Sequence, residues 1–128
     1  MKVPGFLLRR LYVKGSLTTT SDGFEFQILN RLGSGYARRL LPLTLDGDDL
    51  DMALTTFEID GHRVTFDAVT NEVPFTLAMN KTTTITYSGG PVPSLAGDIG
   101  THKIGMRFEV AGLGELGFDF TDAAPVRA

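Results

Sequence analysis

The stretch with the clearest chemical spacing is GLGELG, Gly112 to Gly117, which fits G-x-G-x-x-G and directly follows the strand-like run IGMRFEV. In a dinucleotide-binding turn, such glycines lead into a helix whose N-terminal N–H groups hold a pyrophosphate, with an acidic residue about 20 positions further on. Here the motif runs instead into FDFTD, an alternating strand pattern, with eleven residues after Gly117. The pattern therefore reads as a hairpin, with Gly112 and Gly114 supplying turn dihedrals and Gly117 on the wet face of the last strand.

The remaining candidates are single residues and short clusters. LDGDDLD, residues 45 to 51, carries four carboxylates but lacks the D-x-[DN]-x-[DN]-G spacing and the closing glutamate of a calcium loop, so it reads as an acidic hairpin, with weak surface calcium binding left open. His62 starts a return strand, where exposure is the ordinary outcome. His102 shares its parity with Ile104, Met106 and Phe108 and stands at the inward mouth of a strand. A hydrogen-bonded histidine at a sandwich end is the plain reading; a rim histidine that titrates near neutrality and contacts a ligand or partner is the functional one. The turn GSGYARRL, Gly33 to Leu40, presents Tyr36, Arg38 and Arg39 together, side-chain types enriched at interface hot spots. Tyr36, Arg38, Arg39 and His102 are thus the candidate ligand- or partner-binding residues. No catalytic residue and no metal ligand is assigned: G-x-S-x-G is absent, and neither histidine has a sequence neighbour that makes a triad.

These residues have to be positioned by strands. The chain has 128 residues, 42% of them hydrophobic, enough for one core without staples, so residues 1–128 read as a single domain whose last residues, 122–128, form a mobile tail. Twelve basic against 15 acidic residues leave a net charge of −3, without the basic footprint of a nucleic-acid or anionic-membrane partner. Cysteine is absent, which closes thiolate and disulfide chemistry. The short apolar patch near Met1 falls below a signal h-region, and no run approaches the roughly 20 apolar residues of a spanning helix, so a cytoplasmic protein starting at Met1 is expected.

Apolar residues recur with period two. Phe24, Phe26 and Ile28 share a face, as do Ile104, Met106, Phe108 and Val110, and Leu116, Phe118 and Phe120. Asp60-Gly61 between two alternating runs predicts a type I′ hairpin. RLYVKG and RLLPLTLDG supply further strands, the second on an edge or starting after Pro42. With turn residues every 8 to 15 positions, the fold class is all-β, an antiparallel two-sheet sandwich of about eight strands. The loop SGGPVPSLAGDIGT, 88 to 101, is its unusual segment, and LLPLTL would suit an oligomer interface.

The order GFEFQILNRLGSG, a short strand ending in LDG, a T-x-x-x-D-G hairpin and the closing HKIGMRFEV and LGELGFDFTD resembles a family of small β-sandwich proteins that includes the β-subunits of bacterial C-glycoside deglycosidases. The resemblance covers most of residues 6 to 122. It implies an accessory small subunit within a carbon–carbon lyase complex, next to a larger sugar-isomerase-like TIM-barrel subunit that holds a divalent metal and the main catalytic residues; this chain would hold no cofactor. Homo-oligomers and a stand-alone carbohydrate- or small-ligand-binding module are the alternatives. A stand-alone enzyme using His102 with a carboxylate brought close by folding is a third, and the absence of tryptophan weakens a sugar platform. Chains of this kind also carry a name as hydroxymethylglutaryl-CoA reductases, an activity that the failed glycine motif argues against.

Overall fold

The computed structural model describes residues 5–33, 35–90 and 101–125. Among these it shows eleven strands: β1 (Thr18–Thr20), β2 (Gly23–Leu29), β3 (Gly35–Leu40), β4 (Thr44–Leu45), β5 (Asp48–Asp49), β6 (Thr55–Ile59), β7 (His62–Thr65), β8 (Phe75–Leu77), β9 (Thr82–Tyr87), β10 (Thr101–Val110) and β11 (Gly114–Ala123). One antiparallel sheet has the order β1-β2-β9-β6-β7. In the other, β10 pairs along its whole length with β11 on one side and with β4 and β3 in succession on the other; β5 lies beside β4 and β8 beside β3. The sheets close on the residues that the alternation selects: Phe24, Phe26 and Ile28 from β2, Ile85 from β9, and Ile104, Met106, Phe108, Phe118 and Phe120 from β10 and β11 are all buried. No described helix is long and apolar enough to cross a bilayer.

Turn chemistry follows the sequence closely. Asp60 and Gly61 have φ of 51° and 81° and join β6 to β7, the double positive φ that a type I′ turn needs. Asp46 and Gly47, at 50° and 95°, do the same between β4 and β5. Gly112 and Gly114, at 83° and 82°, close β10 onto β11, so GLGELG is a hairpin and leads into a strand.

Four sequence expectations need correction. RLYVKG is not a strand: Gly5–Leu8 forms one α-helical turn (α1), Arg9–Leu11 a 3-10 turn, and only Tyr12 makes a bridge, to Ile28. The apolar positions Leu7, Leu8, Leu11 and Tyr12 have helical rather than alternating spacing. GSGYARRL is not a turn, because Gly35–Leu40 is strand β3. LLPLTL is not an outer face: Leu40, Leu43 and Leu45 are buried in the chain's own core. Residues 122–125 are not tail-like: β11 runs to Ala123, Ala124 is buried, and Thr19 bonds to the carbonyls of Ala124 and Pro125. Of the 88 to 101 loop, residues 91–100 lie outside the described residues; its start is held by Ser88 N donating to Leu54 O and Gly90 N to Asp22 O.

Gly23 shows how tightly the first sheet is drawn together. A Cβ there would collide with the backbone carbonyl of Tyr87 on the facing strand, an atom that cannot swing aside. Gly23→Ala is therefore expected to cost about 3 kcal/mol, the upper end of overpacking penalties. Gly15 makes a matched control: its φ is 85° and its Cβ would meet nothing within 4 Å, so Gly15→Ala should cost only the left-handed strain of roughly 1 kcal/mol. Urea denaturation of the two variants checks this, and equal losses would contradict the clash.

Candidate functional site

Strand β3 places three of the four sequence candidates. Its pairing with β10 runs Leu40–Phe108 and Arg39–Glu109, then jumps to Ala37–Val110, so Arg38 is the extra residue of a β-bulge. The bulge replaces period two by period three: Ala37 and Leu40 point inward, and Arg38 and Arg39 both point out. Both reach Glu109, at 2.6 Å from Arg38 Nη2 to Oε1 and 2.9 Å from Arg39 Nη2 to Oε2. The Arg38 hydrogen bond holds the Glu109 carboxyl below its usual range. The two arginines are therefore occupied by one carboxylate, while Tyr36, one residue before Ala37, stays exposed.

Tyr36 lies on the rim of an apolar cleft of about 340 Å³ at this end of the sandwich. Leu7, Leu8 and Leu11 of the N-terminal helical segment form one wall, Phe108, Val110, Leu113 and Leu116 of the β10–β11 hairpin another, and Leu32 and Leu77 complete it. Asn30 shapes the opening. It is buried, its Nδ2 donates to Gly33 O and Leu77 O, and its Oδ1 accepts from Leu32 N and Gly33 N. Its backbone carbonyl accepts from Asn80 N, which ties the 30–33 turn to the turn carrying Met79. Leu32, Tyr36, Met79 and Leu113 are each 41–48% exposed, so four of the six large exposed apolar side chains among the described residues gather at one end. Apolar surface concentrated in this way marks a contact site more often than chance exposure does. Sequence reasoning found Tyr36 and missed the rest, because Leu7, Leu32, Met79 and Leu113 come from four separate segments that only the fold brings together.

His102 is at the opposite end. It lies six residues before Phe108 along β10, roughly 20 Å at the rise of a strand, so the structure does not bring it to Tyr36, Arg38 and Arg39. Its side chain is buried as parity predicts, and its Nδ1 is 2.9 Å from Asp46 Oδ2. Asp46, at the first position of the β4–β5 turn, also accepts from Lys103 N through Oδ1; the Lys103 backbone bond, followed by the His102 contact, holds its carboxyl below the ordinary value. The four carboxylates of 46–51 do not converge: Asp46 faces His102, Asp49 pairs with Arg107 at 3.5 Å, and Asp51 caps Ala53 N. Groups of three or more His, Asp or Glu side chains placed to hold a metal do not occur among the described residues.

Across the strand pair from His102 stands Asp122. Its Oδ2 accepts from the Tyr12 hydroxyl at 2.7 Å and from Gly15 N at 2.9 Å, and the Tyr12 bond holds the carboxyl low. The Tyr12 ring stacks on Phe120 with centroids 3.6 Å apart. Burial first, and the Asp122 bond second, push the Tyr12 phenol up to about 12. A raised folded value means that the phenol contributes stability in full below its ordinary value of 10.0 and loses it as pH rises through about 12. In an alkaline absorbance titration at least one of the three tyrosines should stay protonated past a pH of about 11, and Asp122→Asn should lower that late step without removing it, since burial remains. A single wave near pH 10 for the intact protein would contradict the Tyr12 geometry.

The fold and this geometry define an antiparallel two-sheet β-sandwich with an apolar cleft at one end and a hydrogen-bonded His–Asp pair at the other. Within that class, a family model described as "Hydroxymethylglutaryl-CoA reductase, N-terminal domain" matches residues 7–125, and the chain belongs to that family. No curated protein matches it.

Proposed function

We propose that this chain is an accessory β-sandwich subunit that docks through its apolar end on a larger enzyme, of the sugar-processing kind implied by the resemblance to C-glycoside deglycosidase β-subunits. The observation that carries the reading is the exposure of Leu32, Tyr36 and Leu113 on the lining of the cleft, together with a support in Asn30 and the Arg38–Glu109–Arg39 cluster. In this reading the larger subunit supplies the metal and the bond-breaking residues, and the small one completes the assembly and the approach to it. The reading uses no nicotinamide site, in keeping with the hairpin role of GLGELG. Its test is the native mass of the tagged chain captured from its own cells: a fixed-ratio complex with a TIM-barrel-sized enzyme supports it, and a chain recovered alone or only with copies of itself counts against it.

A second reading is favoured by the 2.9 Å contact between His102 and Asp46, the base-and-orienter half of a nucleophilic site. Under it, His102→Ala removes activity from the purified chain or its complex. Activity that survives His102→Ala leaves the pair as a clamp that fixes the start of β10.

A further inference from the structure

The outer face of the second sheet carries a hollow of about 450 Å³ whose lining includes Thr44, Lys103, Gly105, Arg107, Gly117 and Asp119. It shares no lining residue with the apolar cleft, so a ligand seated there is independent of docking at that end. The floor of the hollow is glycine. Gly105 and Gly117 stand inside β10 and β11, and neither has the positive φ that would call for glycine. A glycine in such a place weakens its strand and marks a point of close approach. A Cβ at Gly105 would run into the Thr44 hydroxyl, and one at Gly117 would press on Arg107 Cγ at 3.0 Å. The two glycines therefore let Thr44 and the Arg107 stem lie close against the sheet.

Charges of both signs surround Gly105. Strand pairing sets Asp119, Gly105, Thr44 and Asp49 in one row across four strands, with a carboxylate at each end; along β10, Lys103 and Arg107 stand two residues to either side. Lys103 Nζ is 3.6 Å from Asp119 Oδ2, and Arg107 Nη2 is 3.5 Å from Asp49 Oδ1, both beyond ordinary hydrogen-bond length. The neighbouring Arg38 and Arg39 pairs close to 2.6 and 2.9 Å on Glu109. Arg9 also pairs with Asp119, at 3.4 Å, and Arg107 Nη2 donates to Pro42 O at 3.3 Å. An anion over Gly105 would face Asp119 and Asp49, and a cation would face Lys103 and Arg107. A hydroxyl both donates and accepts, so it bridges a stretched cation–carboxylate pair without adding charge. We propose that the hollow binds a neutral polyhydroxylated molecule, a cyclic or open-chain polyol, with its carbon frame over the glycine floor and its hydroxyls bridging Lys103 to Asp119 and Arg107 to Asp49.

The test follows the amide resonances of the isotope-labelled full chain as myo-inositol or sorbitol is added, with inorganic phosphate and choline as charged counterparts. At least one polyol should shift the Gly105 and Gly117 amides saturably, with a midpoint of about 1–10 mM. Asp49 and Asp119 are exposed, so the Asp49→Ala/Asp119→Ala variant should keep its fold, bind that polyol about tenfold more weakly and acquire phosphate binding. Thr44→Val, which keeps the shape and removes the hydroxyl, should weaken the polyol about threefold and carries the test if the double variant does not fold. No saturable shift with either polyol by about 100 mM, shifts confined to residues outside the hollow, or equal polyol affinity in the folded variants would overturn the proposal. Phosphate or choline bound by the intact chain in place of a polyol would do so in favour of a charged ligand.

Discussion

On the docking reading, the Leu32→Glu/Leu113→Glu double variant should bind the proposed larger partner at least a hundredfold more weakly, about 2.7 kcal/mol, and keep its thermal midpoint within about 3 °C of the parent. Both leucines are more than two-fifths exposed and both line the cleft. In the free chain a glutamate at either position reaches water and displaces no buried neighbour. In a complex each would be a carboxylate placed in an apolar seat, the kind of change that dominates interface losses. Titration of the captured partner with each variant, beside a thermal melt, separates the two effects. Full binding by a normally folded double variant would show that the partner does not use this end, and a large drop in midpoint would show that the leucines belong to the core instead.

The second large effect is structural. Phe26→Ala should destabilise the domain by about 3–5 kcal/mol, a major part of the 5–15 kcal/mol that typically holds a domain together. Phe26 has no exposed surface and faces two rings edge-on, Tyr12 at 6.2 Å and Phe120 at 5.1 Å between centroids. Removing it takes out both edge contacts and leaves a cavity between β2, β11 and the N-terminal segment, so the Tyr12–Asp122 bond should loosen with it. A urea transition with an unchanged slope and a lower midpoint is the expected signature. A loss under 1 kcal/mol would mean that the sheets close the gap by moving together.

The two effects correspond to what the sequence does and does not disclose. Period-two runs were legible wherever a strand buries every second residue: β2, β10 and β11 stand where the alternation of Phe24 to Ile28, Ile104 to Phe108 and Leu116 to Phe120 puts them. Hairpins with Asp-Gly were legible because positive φ has few residue types to choose from. Strand β3 was not, since the bulge at Arg38 turns its pattern into two out, one in. The three-residue strands β1 and β8 lack the length for any period to show. His102 could be placed on an inward face by parity, but its partner Asp46, 56 residues away, follows only from β4 lying beside β10. The cleft was least legible of all: each of its walls is an ordinary leucine or phenylalanine in its own segment, and nothing local distinguishes a leucine that packs in the core from one that waits at the rim.

Hydrogen exchange of the captured complex against the free chain tests the central claim most directly, because it reports which end of the sandwich the partner covers. The docking account predicts added protection at residues 30–33, 35–36, 77–81 and 110–114, with the amides around Asp46 and His102 exchanging as they do in the free chain. Protection confined to the Asp46–His102 end, with the cleft segments unchanged, would contradict it.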